Sequence, residues 1–175
     1  MNPQGLDAAI AGRGSQMIAI TKYLKEQGWK GPFYGTGADI SAVKEGVSFM
    51  EGLTIPVMAD IKSETVTKTE RDILQRYVAK FPEADLEPPM LVTYNAVQVY
   101  AAAMEKAGTV DDAVKIAQVL RDNEWDTVWS EKIGKSKFVG KQTLGEAVTL
   151  EQQIYLSGVR DGKLVTFGAI KGTLP

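Results

Sequence analysis

The chain has 175 residues, carries 20 Lys and Arg against 22 Asp and Glu for a net charge of −2, and contains neither Cys nor His. That length holds one core or a little more, and the balance lacks the basic field that nucleic acid or an anionic membrane would need. Thiolate nucleophiles, Cys or His metal sites and His-based triads are excluded together.

Hydrophobic residues are 44% of the chain and charged residues 24%, ordinary globular usage. No apolar run reaches the length of a membrane span. Met1-Asn2-Pro3-Gln4-Gly5 has no basic stretch followed by an apolar one, so no signal peptide is read there; an export signal is expected only upstream.

Asp7 to Ala11 is a short apolar run, suited to a strand buried on both faces. Gly12-Arg13-Gly14 breaks it. Ser15 reads as a helix N-cap, and Met17, Ile20, Tyr23 and Leu24 follow at helical spacing until Gly28, placed as a C-terminal cap glycine. Pro32 to Gly37 reads as a second parallel strand with its loop, and a short helix is expected from about Ser41 to Glu45. Gly52 to Met58 is a third strand, which Pro56 places at an edge or ends early.

A helix is predicted from about Thr67 to Phe81, with a stripe of Ile73, Leu74, Tyr77, Val78 and Phe81. The most apolar helix runs from Leu91 to Ala107 and is closed by Gly108. A further helix from Asp111 or Asp112 to Arg121 buries Val114, Ala117, Val119 and Leu120. From Trp125 onward the signals are strands and turns. Asp161-Gly162 between two strand-like runs predicts a hairpin. Alternating strands and helices followed by a hairpin define an α/β class with a mostly parallel, Rossmann-like sheet and flanking helices.

Gly12-Arg13-Gly14 between strand and helix admits a nucleotide-binding reading. Met17 stands where the third glycine of that fingerprint belongs, so a tight turn explains the segment better. A third reading uses the helix N-terminus: free N–H groups there receive a carboxylate, with Gly14, Ser15 and Gln16 as contacts to a small ligand. Gly37 and Asp39 stand at the equivalent end of the next strand, as a ligand loop or as a helix cap. Tyr94 reads as a core residue with its hydroxyl at the rim, or as the wall of a pocket. Asp111-Asp112 and Glu83/Asp85 read as caps and solvated faces rather than metal or acid–base pairs. Trp29, Trp125 and Trp129 read as packing over loops. No cofactor and no metal are expected.

The succession of pieces resembles the periplasmic branched-chain amino-acid binding proteins, the type I solute receptors of ABC importers. They are Asp7 to Gly12 with Ser15-Gln16, Leu24 to Pro32, Gly35-Thr36-Gly37, Glu51-Gly52-Leu53, Thr93 to Gln98, Glu105 to Gly108, Trp125-Asp126-Thr127, Gly134 to Phe138 and Val159 to Lys163.

The resemblance implies a periplasmic, reversible binder rather than an enzyme, in which two lobes close on a solute and dock on a membrane permease. It implies a partial type I fold, the family's first half lying upstream. Residues 1–62 would be a second-lobe segment, 63–123 a helical segment of the first lobe, and 124–175 strands returning across the hinge. Many relatives carry an acidic residue where Gly37 stands, so an amino acid, an amide or an aromatic acid are all open as solute. Binding by this part of the fold alone is expected to be weak, and open edges predict a homo-oligomer. The rivals are a cytoplasmic amide or amino-acid sensor of the same fold and a small Rossmann-like nucleotide-binding enzyme.

Overall fold

The computed structural model describes residues 8–12, 14–35, 45–56, 63–84 and 89–175. They divide into two compact units: Met1–Val66, Val78–Pro88 and Ile154–Ala169 form unit 1, and Thr67–Tyr77, Pro89–Gln153 and Ile170–Pro175 form unit 2.

Unit 1 begins with β1 (Ala9–Ala11), α1 (Gly14–Glu26), β2 (Phe33–Gly35) and β3 (Leu53–Pro56). The hairpin β7 (Gln152–Arg160) and β8 (Lys163–Gly172) completes a sheet in the order β1-β2-β3-β7-β8, its ends reaching into unit 2. β1 pairs parallel with β2, β2 parallel with β3, and β3 antiparallel with β7. The expected third strand is thus central, and Pro56 is its last residue. Asp161 and Gly162 both have positive φ, 52° and 67°, as a two-residue turn matched to strand twist requires.

Two crossovers that step the same way across a sheet, both right-handed, must lie on one face. Met17 and Leu24 of α1, and Met50 with Val47 and Phe49 of the second crossover, accordingly pack on Ala9, Phe33, Leu53, Ile55 and Val159. On the other face, among the described residues, several large apolar side chains are exposed. Ile10 is 73% exposed, and Tyr34 and Phe167 are exposed too, so β1 is covered on one face and not on both. Arg160 lies over Phe167 at 5.3 Å and donates to the carbonyls of Leu53 and Val159.

The buried seam of α1 is Met17, Thr21 and Leu24, with the Thr21 hydroxyl donating to the Met17 carbonyl; Ile20 and Tyr23 are exposed. The helix starts at Gly14, so Ser15 falls inside the first turn and is not the N-cap. Gly28 ends it with φ +78° and paired backbone bonds, Gly28 N–H to Lys25 and Trp29 N–H to Leu24. Trp29 is buried in the core beside Leu24 and Phe33. The helix expected over Ser41 to Glu45 lies outside the described residues except at Glu45.

Unit 2 holds the start of α2 (Lys68–Lys80), then α3 (Pro89–Ala107), α4 (Ala113–Asp122), β4 (Glu124–Trp125), α5 (Ser130–Ile133), β5 (Ser136–Val139), α6 (Lys141–Leu144) and β6 (Thr149–Leu150). The β4-β5-β6 sheet is antiparallel. Val99, Ala103 and Ala107 of α3 pack with Ile116 of α4 and Trp125. Asp112 caps α4 through the Lys115 N–H at 3.0 Å, and Gly108 closes α3 with the bond pattern seen at Gly28.

Val114 is 83% exposed, and Ile116 takes the buried place expected for it. The i, i+3, i+4 set that faces α3 is Ile116, Val119 and Leu120, and Val114 points away from it. The α2 stripe is likewise shorter than its pattern: Leu74 is buried, but Val78 and Phe81 are exposed.

Candidate functional site

In unit 1 the register Ala9↔Phe33, Ile10↔Tyr34, Ala11↔Gly35 sets the C-terminal ends of β1 and β2 side by side. The chain leaves β1 through Gly12 and turns into α1, whose first residues are Gly14, Ser15 and Gln16. Main-chain N–H groups of a first helical turn have no partner within the helix, and the helix dipole adds partial positive charge there. The arrangement can accept an anionic or carbonyl oxygen.

Glycine shapes this end twice. A Cβ on Gly12 would lie 2.9 Å from Gln16 Oε1, so the exposed Gln16 side chain folds back over Gly12. A Cβ on Gly35 would lie 2.5 Å from Ile55 Cγ2 and 2.7 Å from Met17 Sδ. Only glycine lets β2 end this close to α1 and β3.

The Ser15 side chain, Gly37 and Asp39 lie outside the described residues. Tyr94 stands on α3 in unit 2, half-buried. The buried residue is its neighbour Asn95, whose Oδ1 accepts the Val128 N–H at 3.0 Å. The structure therefore brings Gly14, Ser15 and Gln16 together. Among the described residues no three His, Cys, Asp or Glu converge as metal ligands, and no helix is long and apolar enough to cross a membrane.

A polar cluster at the start of α2 escaped the sequence reading. Thr67 and Glu70 form a reciprocal cap: the Thr67 N–H donates to Glu70 Oε2 at 2.7 Å, and the Glu70 N–H to Thr67 Oγ1 at 3.0 Å. Glu70, fully buried, also accepts the Trp129 indole N–H at 2.8 Å, and the Thr67 hydroxyl donates to the Val128 carbonyl. Glu131, from α5, accepts from the N–H groups of Lys68 and Thr69 and from the Thr69 hydroxyl. All four N–H groups that an α-helix leaves free at its start are thus satisfied by side chains. The signal was present as Thr-x-x-Glu ahead of an apolar run; the parts played by Trp129 and Glu131 are non-local.

The Thr69 hydroxyl, then the Lys68 amide, hold the Glu131 carboxyl below the ordinary glutamate value. At Glu151 burial pushes the other way, but Lys171, the Thr173 hydroxyl and the Lys137 N–H outweigh it, and this carboxyl too lies low.

The chain belongs to the periplasmic binding protein family, whose model matches residues 2–163. No curated protein sequence matches significantly. The chain is similar in fold to a leucine-binding protein from Thermotoga maritima, with a TM-score of 0.71 at 18% identity over 95% of this chain and 45% of that one. An ABC-transporter solute-binding protein from Rhodopseudomonas palustris, solved with 3,4-dihydroxybenzoic acid, gives 0.65 at 16% identity over 99% and 47%. A substrate-binding periplasmic protein from Ralstonia solanacearum gives 0.61 at 16% over 93% and 46%. The chain thus spans less than half the length of these solved proteins. The fold is mixed α/β and is part of the type I periplasmic binding architecture.

Proposed function

We propose that this chain carries one wall of a solute site in a periplasmic receptor of an ABC importer. The solute is an amino acid, an amide or an aromatic acid. Gly14, Ser15 and Gln16 offer it amide and side-chain donors, and Gly37, Asp39 and Tyr94 are the further contact residues. The two units are portions of the family's two lobes, with 1–62, 63–123 and 124–175 as successive passes of the chain. A membrane permease is the partner of the loaded receptor. The observation that carries this reading is the parallel β1–β2 register, which sets the first turn of α1 beside the end of β2.

The test is an amide NMR titration with leucine, 3,4-dihydroxybenzoate, acetamide and ATP at millimolar concentration. One of the first three should shift Gly14 to Gln16, and Gln16→Ala should weaken that binding about fivefold, the worth of one hydrogen bond. Response to ATP alone, or shifts confined to other regions, would overturn the reading.

Homo-oligomerisation belongs to the same proposal, motivated by the exposed side chains of Ile10, Tyr34 and Phe167. Light scattering over a dilution series should show a species heavier than 19.0 kDa. A monomer at every concentration sinks it.

A further inference from the structure

Glu131 stands on a four-residue helix, α5, and closes the first turn of α2 from outside that helix. Its bonds are 3.0 Å to the Lys68 N–H, 3.2 Å to the Thr69 N–H and 2.7 Å to the Thr69 hydroxyl. The inner side of the same turn is closed by Glu70, which is buried. One turn is therefore held by two carboxylates of opposite accessibility. The chain passes from unit 1 to unit 2 at Val66 and Thr67, directly ahead of it.

We propose that Glu131 is a releasable latch: its charge closes the outer side of the α2 first turn, and its loss frees that turn while the Thr67–Glu70–Trp129 cluster stays in place. The charged groups around it are Lys68, which attracts it and also pairs with Asp72 at 3.8 Å, Glu70 on the inner side, Arg71 in the same turn and Lys132 beside it on α5.

The sign follows from the low position of the carboxyl. A folded-state value below the unfolded one makes the latch complete above the ordinary glutamate range, around pH 4 to 5. It is lost as pH falls through the folded value. Replacing Thr69 by valine removes the strongest donor, so the titration of Glu131 should move up towards the ordinary range.

The experiment follows the amide protons of Lys68 and Thr69 by NMR from pH 7 downward, in the native chain and in Glu131→Gln and Thr69→Val. The expected result is a joint shift of both amides in one acid transition, with the Trp129 indole signal unchanged. Glu131→Gln should abolish that transition and Thr69→Val should raise its midpoint. The proposal is overturned if the two amides keep their transition in Glu131→Gln, which would assign it to Asp72 or Glu70. It is equally overturned if the midpoint is unmoved in Thr69→Val, or if the chain unfolds before either amide responds.

Discussion

Gly158→Ala is expected to destabilise unit 1 by the upper end of the roughly 1–3 kcal/mol range of overpacked sites, or more. A Cβ at Gly158 would stand 2.1 Å from the Leu53 carbonyl oxygen, a backbone atom, and 3.1 Å from an Arg160 guanidinium nitrogen. The guanidinium ends a flexible side chain and can shift, but the carbonyl is part of the backbone and cannot step aside cheaply. Leu53 is fully buried in β3, and its carbonyl already receives the Arg160 guanidinium at 3.0 Å. Relief requires β3 and β7 to separate where Thr54 faces Gly158. A fall in the urea midpoint, with faster amide exchange in β3 and β7, is the result to look for. An unfolding free energy within about 0.5 kcal/mol of the native chain, the scatter of harmless surface changes, would mean that the two strands are not packed this closely.

The second large effect lies at the α2 cap. Glu70→Ala leaves the Thr67 N–H and the Trp129 indole N–H without acceptors, in residues that are both buried. Each orphaned donor costs about 1–3 kcal/mol, so a loss of about 2–6 kcal/mol is expected. Glu70→Gln keeps one carbonyl oxygen and should lose about half as much. Urea unfolding monitored by tryptophan emission would rank the three proteins. Equal stability of the Ala and Gln variants would show that the two hydrogen bonds do not carry the stabilisation.

Local grammar made most elements legible. Gly28 and Gly108 could be read as helix ends because a left-handed residue there is nearly free for glycine alone, and both have positive φ. Asp161-Gly162 could be read as a turn because aspartate tolerates and glycine favours the positive φ that both positions need, and Asp112 as a cap because its side chain reaches an amide three residues on. What could not be read depends on distant partners. Glu70 carries no local sign of its role, since its carboxylate meets an indole 59 positions away. Val114 looked buried because it is apolar, but which face of α4 is covered is decided by α3. In the candidate site, the break after β1 at Gly12 and the helix that follows were legible from the strand–glycine–helix order, but the helix start was placed too late, with Ser15 as its cap. The bend of Gln16 over Gly12 was not legible, since it rests on a side-chain rotamer and not on a pattern.

The pairing of β3 with β7 also has a consequence for how the chain is made. Arg160 bonds the Leu53 carbonyl across 107 positions of sequence, and nearly all of unit 2 lies in that interval. Closing so long a loop adds little to the equilibrium cost, about 0.6 kcal/mol for each doubling of its length. It does fix an order of events on the ribosome. β1, α1, β2 and β3 emerge ahead of unit 2 and must wait with an unpaired strand edge, while α3 and α4 can dock through local contacts. The sheet of unit 1 is completed only after nearly all of unit 2 has been synthesised, so the nascent chain exposes the edge of β3, a site open to aggregation, throughout that interval.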